Sequence, residues 1–420
     1  MPSPAPSNVV RRLTQAEADA VCERHDRLWA AKPGGARAVF SWLDLTGLNF
    51  RGRNLSDADF TGAILDGAKF VKTRLDHAIF FGADMQNADF SDASMRRTDL
   101  RGACLRNADL TGADLFEADL REGVIAQPDR VRGLRIIEAT KRAGEAQGAV
   151  LIGANLERSK MSGVVALKAD FTDAILKDAN LVRANLKQAT MVGCNLAGAD
   201  LSGADLSGAD LRDSIMVGTK IYAATTTDMR SEGALTDAPA GKSVSELPYD
   251  EMIRAHALWC ESAGAEGNPS SFDEADLRGL ASIARYNLTA LSAKGAVFYG
   301  LDMEGVQLQG ARLEGADLRA CNLRSADLRG ARLAGAKLSG ADLREAKMGP
   351  LLIADDRMLP CDLTRAVIKN ADLTGADLRH AVFALSDVSR SKFHGAMMRN
   401  ADFNGAFREG ASGLDDGADA

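Results

Sequence analysis

A bulky apolar residue stands at every fifth position through most of this 420-residue chain. The first stretch reads Leu45, Phe50, Leu55, Phe60, Leu65, Phe70, Leu75, Phe80, Met85, Phe90, Met95, Leu100, Leu105, Leu110, Leu115 and Leu120. Ala stands two residues before most of them, as at Ala58, Ala63, Ala83 and Ala108. A period of five fits neither an amphipathic helix nor an uninterrupted strand. Within one unit, however, Ala and the bulky residue are two apart and point the same way, as on a short strand segment, so the Asp or Asn between them points outward. The Ser, Thr, Gly and Arg that follow suit a turn. A chain that bends in one sense every five residues must coil. Stacked coils bury the Ala and Leu columns and pair the backbone amides along the stack. The fold class read from this pattern is an all-β solenoid, and with aromatics at only 5% its interior must be largely small and aliphatic.

The repeat comes in two or three runs. Its phase slips by one residue after the first run and resumes at Leu151, continuing through Leu156, Met161 and Phe171 to Ile221; a third run keeps phase from Ile283 to Phe403. The organisation expected is an N-terminal segment with a capping helix (1–40), run 1 (41–125), a basic and partly helical insert (126–150), run 2 (151–224), a linker (225–246), a second capping helix and loop (247–272), run 3 (273–408) and a disordered tail (409–420). Thr14-Gln15-Ala16-Glu17 has capping-box spacing, and the helix after it carries Val21, Leu28 and Trp29 as apolar members. The second helix, from Pro248 to Ser262, carries Met252, Ile253, Leu258 and Trp259. The two share Arg-x-x-x-Leu-Trp, at Arg24, Leu28, Trp29 and at Arg254, Leu258, Trp259. This points to an internal duplication in which each helix covers the open first coil of its own run.

The unit A-(D/N)-L-x-x, present in tens of copies, resembles the motif of the pentapeptide-repeat family. The resemblance implies a right-handed quadrilateral β-helix with four units per coil and short α-helical caps. Residues four units apart then stack, so Leu308, Leu328, Met348, Ile368 and Val388 are expected in one inward ladder. Some members of that family resemble double-stranded DNA in shape and charge and act on DNA gyrase. For this chain such mimicry implies an acidic face built from Asp84, Asp89, Asp99, Asp109, Asp114 and Asp119, with Asp89 stacked under Asp109 and Asp99 under Asp119. Arg96, Arg97, Arg101 and Arg106 interleave with these carboxylates, and run 3 places Arg312, Arg319, Arg324, Arg329, Arg332 and Arg344 outward among its acids.

The leading functional reading is therefore a non-enzymatic scaffold that presents flat faces to a protein partner. The alternatives are a DNA-mimic modulator of gyrase or another topoisomerase, of the quinolone-resistance type, and a secreted effector or targeting module. Specificity in a scaffold belongs where the repeat is broken. One such place is the basic insert, with Arg130, Arg132, Arg135, Lys141 and Arg142 as candidate partner contacts. Another is GPLLIADDRMLPC, read as an irregular wall because phase holds from Met348 to Leu363. An open end near Phe403 points to a homodimer through that end.

Chemistry is not signalled. A net charge of −7 with both signs abundant argues against direct nucleic-acid binding. No stretch has the apolar length of a membrane span or a signal peptide, so the expected location is the cytoplasm. Six cysteines lie far apart, and three of them, Cys194, Cys321 and Cys361, take Ala positions as small buried groups. Five histidines, His25, His77, His256, His380 and His394, show no metal-ligand spacing, and no phosphate-binding glycine motif is present. No cofactor is implied.

Overall fold

All five amides of a repeat unit have a place to go. In the unit around Phe60, the Ala58 N–H closes a turn onto the Leu55 carbonyl at 3.1 Å, and the Asp59 N–H reaches back one coil to Ala38 at 3.0 Å. The N–H groups of Phe60 and Gly62 reach forward to Ile79 and Phe81 at 2.7 and 2.9 Å. The fifth amide, of Thr61, donates to the Asp59 carboxylate at 2.9 Å. The outward Asp or Asn is therefore part of the backbone scheme, because it satisfies the one amide that neither turn nor neighbouring coil can reach. The second turn residue takes a left-handed conformation, as at Gly62 with φ +62°, which explains the Gly, Asn and Asp favoured there.

In this computed structural model the described residues are 10–123, 126–129, 133–136, 144–243, 246, 248–354 and 357–414. They belong to two compact units, Met1–Asp237 and Ala238–Ala420. In both, parallel bridges join residues 20 apart, as in Val39, Asp59, Ile79, Asp99 and Asp119, so four repeat units complete one coil of a β-helix. The interior is filled by apolar side chains. Phe60 stacks on Phe80, and Phe70 on Phe90, each with ring centroids 4.8 Å apart, which is the strand spacing of the coils themselves. Neighbouring columns meet edge-on, as Phe60 and Phe70 do at 5.6 Å.

The first unit opens with α1 (Gln15–Trp29), whose capping box of Thr14 and Glu17 forms as read from the sequence. Its buried face is Ala18, Cys22 and His25, with Val21 packed beside them. Leu28 and Trp29, expected on that face, are exposed. The small side chains of Ala18 and Cys22 are what allow the helix to lie close against the first coil. Runs 1 and 2 form one continuous stack, because Asp109 pairs with Val150, Asp114 with Asn155 and Asp119 with Lys160. These partners lie 41 apart instead of 20, and a detour of four units plus one residue accounts for the phase slip. In the detour the described residues form an antiparallel pair, β1 (Ala126–Asp129) and β2 (Gly133–Ile136), where partial helix was expected. The coil resumes at Glu145, earlier than the sequence boundary of 151. It also runs on through Thr225, Arg230 and Leu235, so the Thr, Gly and Ala content read as a linker belongs largely to turn and core positions of further units.

The second unit begins with β3 (Lys242–Ser243), which pairs in parallel with β4 (Ala275–Asp276), and with α2 (Tyr249–Glu261) between them. Helix α2 buries Tyr249, Ile253, His256 and Ala257, while Leu258 is exposed. Its coils continue to Ser412, which pairs with Lys392, so the C-terminal segment is built into the fold as far as Leu414. Residues 415–420 of the expected tail lie outside the described residues. The GPLLIADDRMLPC stretch is a hairpin, β5 (Leu351–Ala354) and β6 (Arg357–Leu359), rather than an irregular wall. Across it Arg332 pairs with Asp362 and Lys337 with Val367, 30 residues apart. A detour of two whole units leaves the phase intact, which is why the sequence concealed it. The expected ladder changes accordingly. The Met348 N–H binds the Asp377 carbonyl, placing Leu378 next to Met348, and Ile368 lies next to Leu338 instead.

Candidate interaction surfaces

The walls carry a recurring ion pair that the sequence shows as Asp-Leu-Arg. At Asp327 and Arg329 the guanidinium Nε donates to Oδ1 at 2.9 Å and its terminal nitrogen to Oδ2 at 2.7 Å. The same carboxylate accepts the Arg329 backbone N–H. The two-pronged geometry repeats at Asp99–Arg101, Asp119–Arg121, Asp210–Arg212, Asp342–Arg344 and Asp377–Arg379. This is the planar match that makes arginine the better partner for a carboxylate. The arginine fork holds the carboxyls of Asp210, Asp342 and Asp377 below the usual range, with the backbone amide adding to it and burial opposing. Arg319, expected to point outward, is buried with Asp317 in the same kind of pair.

All six candidate acids of the first run accept hydrogen bonds, three of them from arginines. Asp99 and Asp119 hold Arg101 and Arg121. Asp109 accepts both the amide and the hydroxyl of Thr111, Asp89 those of Ser91, and Asp84 the side-chain amide of Gln86. Asp114 accepts from Phe116 N–H, from Arg96 at 2.7 Å and from Asn155 at 2.9 Å. Asp89 does stack on Asp109, and Asp99 on Asp119, but Val150 and Lys160 follow in those columns. Among the described residues no outward column holds more than two consecutive carboxylates.

Two detours leave the regular walls. In the first, Arg135 lies on β2, while Arg130, Arg132, Lys141 and Arg142 are outside the described residues. The second is built more fully. Leu351 and Leu359 are paired across β5 and β6, and both turn toward the coil, Leu351 lying over Gly310 and Gly330. The remaining apolar side chains face out: Leu352 is 63% exposed, Met358 55% and Ile353 48%. Beside them is a groove of about 580 Å³ lined by Gly310, Arg312, Arg332, Leu359, Pro360 and Asp362. The signals available in the sequence were the flanking Pro350 and Pro360 and the Leu-Leu-Ile run.

The remaining features are structural in character. The ring of Phe403, expected at an open end, lies under the Arg408 guanidinium at 5.0 Å, and Arg408 also donates to the Phe403 carbonyl. Cys194, Cys321 and Cys361 are buried at Ala positions, and burial pushes the Cys321 thiol up to about 12. Among the described residues no group of three His, Cys, Asp or Glu side chains is placed to hold a metal ion, and no helix is long and apolar enough to cross a membrane.

Comparison with known proteins follows the coils. A family model described as pentapeptide repeats matches residues 44–82, 78–116, 146–178, 179–217, 311–349 and 361–405. No curated protein matches the chain. Among solved structures, the pentapeptide repeat protein Rfr23 from the cyanobacterium Cyanothece 51142 is similar at 25% identity, covering 31% of this chain and 88% of that one, with a TM-score of 0.20. HetL, a pentapeptide repeat protein involved in heterocyst differentiation regulation from Nostoc sp. strain PCC 7120, is similar at 22% identity over 92% of this chain and 93% of that one, with a TM-score of 0.14. QnrB1, a plasmid-mediated fluoroquinolone resistance protein, is similar at 18% identity over 56% of this chain and 95% of that one, with a TM-score of 0.21. With the matched segments taking in more than half of the sequence and coinciding with the bridged coils, this chain belongs to the pentapeptide-repeat family.

Proposed function

We propose that the chain is a non-enzymatic scaffold, a right-handed quadrilateral β-helix that binds a protein partner through the hairpin Leu351–Leu359, with the basic insert after run 1 as a second contact. The observation that carries this reading is the exposure of Leu352, Ile353 and Met358 together on a hairpin anchored by Leu351 and Leu359. An apolar cluster set on a firm base is costly to leave in water and is the usual mark of a partner site. The filled interior supports the non-catalytic reading, because the inward side chains leave no water-excluding cleft between coils. Phosphate mimicry is disfavoured by the interleaved charges: Asp99, Asp114 and Asp119 are paired with Arg101, Arg96 and Arg121, and the aligned columns of acids are interrupted by Val150 and Lys160, so among the described residues no long row of unneutralised carboxylates imitates phosphates.

The test is affinity capture from a cell lysate with wild-type protein and a Leu352→Ser, Ile353→Ser, Met358→Ser variant. A specific protein captured by the first and lost from the second is the expected result. Equal capture by both removes the hairpin from the proposal. A gyrase supercoiling assay run alongside is expected to show no inhibition, and inhibition at micromolar protein would restore the topoisomerase reading.

A further inference from the structure

Each cap helix buries one histidine, and the two occupy the same place in the architecture. Within the coils, the N–H two residues before a bulky residue closes the preceding turn, as Leu43 does onto the Phe40 carbonyl at 3.2 Å. Ala38 and Ser270 stand two residues before Phe40 and Phe272, which open the coils after each helix, and no repeat turn lies immediately before them. His25 Nδ1 accepts the Ala38 N–H at 3.1 Å, and His256 Nδ1 accepts the Ser270 N–H at 3.0 Å.

The opposite edge of the His256 ring completes a second missing bond. Carbonyls directly after a bulky residue elsewhere receive an amide from the coil before, as Asp66 does from Gly47 at 2.9 Å. Ser56 and Thr289 follow Leu55 and Leu288, in the first full turn of each unit. The His256 Nε2 lies 3.1 Å from the Thr289 carbonyl, and the Ser56 carbonyl acts on the His25 ring. With Nδ1 accepting and Nε2 facing a carbonyl, the hydrogen-bond network assigns the proton to Nε2 in His256; in His25 both ring nitrogens face N–H donors, Ala38 at Nδ1 and the Trp29 indole at Nε2. Each neutral imidazole thus supplies an acceptor that a preceding repeat unit would have given, and His256 a donor as well. A protonated imidazole has no acceptor to offer Ala38 or Ser270.

We propose that His25 and His256 are acid-sensitive latches: neutral, each seals its cap helix to the first coil, and protonated, each releases it and opens that end of the β-helix. The groups around them are few. Asp26 on α1, Asp57 beside Ser56 and Arg37 on the segment entering the first coil act on His25, and the Trp29 indole N–H donates to its Nε2 at 3.1 Å. Around His256 the Cys260 thiol shares the Thr289 carbonyl at 3.5 Å, and among the described residues no charged side chain acts on the ring. Burial lowers both imidazoles from their ordinary value. A base held neutral in the folded state contributes stability that is present above its unfolded pKa of about 6.5 and is lost as pH falls through its lower folded value.

The test is long-range proton–nitrogen NMR of the imidazoles in the full chain, with amide exchange corrected for intrinsic rates, from about pH 7.5 to 4.5. His256 is expected as the Nε2–H tautomer at neutral pH, and both rings are expected to titrate below 6.5. Protection at Ala38 and Ser270 is expected to fall about tenfold for each unit of pKa shift, while Phe60 and Leu308 hold theirs. In His25→Asn, whose side-chain oxygen takes the place of Nδ1 without titrating, Ala38 loses its pH response and Ser270 keeps it; His256→Asn gives the reverse. The wild-type titration decides the matter if either variant fails to fold. Titration near 6.5 with unchanged exchange at Ala38 and Ser270, or an Nδ1–H tautomer at His256, overturns the proposal.

Discussion

Gly330 and Leu351 approach so closely that a β-carbon on the glycine would fall 2.7 Å from the β-carbon of Leu351. Gly330 has φ +65°, and Gly315, at φ +69°, occupies the same turn position with open space around it. Alanine at either site incurs the left-handed penalty of about 1–2 kcal/mol. Only Gly330→Ala should also displace the hairpin. The expected result is similar destabilisation of the two variants in urea, with faster amide exchange across Leu351–Leu359 in Gly330→Ala alone.

The outward aspartates act first as acceptors for their own backbone. Asp109→Asn keeps an oxygen for the Thr111 amide and should change stability by only a few tenths of a kcal/mol, whereas Asp109→Ala strands that amide and should cost about 1 kcal/mol. Chemical denaturation of the pair measures the difference. Equal losses in both variants would show that the charge, rather than the acceptor, matters at this site.

Asp210, Asp342 and Asp377 have folded-state pKa values below their unfolded ones, with the arginine forks as the leading cause. A carboxylate shifted in this direction adds stability above its unfolded pKa of about 3.9 and loses it as pH falls through the folded value. Thermal midpoints should therefore be level across neutral pH as far as these groups are concerned and decline below about pH 4. Asp342→Asn with Asp377→Asn should flatten that acid limb, and added salt should flatten it further because these pairs are partly open to solvent.

Phe60 lies between Phe40 and Phe80, at 5.0 and 4.8 Å. Truncation to Ala removes both stacks and leaves a cavity that the flanking coils cannot collapse into, with an expected loss of about 3–5 kcal/mol. Phe60→Leu, which refills most of the volume with the side chain used elsewhere in the same column, should lose much less. Denaturant midpoints of the two variants give the comparison.

The coil itself was legible in the sequence because its cause recurs in every unit: Ala and Leu two apart, then two turn residues. The Thr14–Glu17 capping box was legible for the same reason, being set by local spacing, whereas the stacking of Asp89 on Asp109 followed from the four units per coil that the family resemblance implied. The hairpin was hidden because its length equals two units, so Leu363 falls in phase with Met348 although the chain has left the wall and returned. The buried faces of the caps were misjudged because Leu28 and Trp29 carry the apolar signal, while contact is made by Ala18, Cys22 and His25. The role of His25 depends on Ala38, which meets it only once the helix and the first coil have come together.

Deletion of residues 351–360, with Pro350→Gly so that the turn can take positive φ, tests the central claim that this hairpin is an excursion from a self-sufficient coil. The measurement is amide exchange across the joined coils. Protection at Asp362, Val367, Asp372 and Asp377, whose amides bind the carbonyls of Ala331, Ala336, Ala341 and Ala346, is predicted to match the intact chain. Loss of protection through those four positions would contradict the account, because it would make the hairpin part of what holds the stack together.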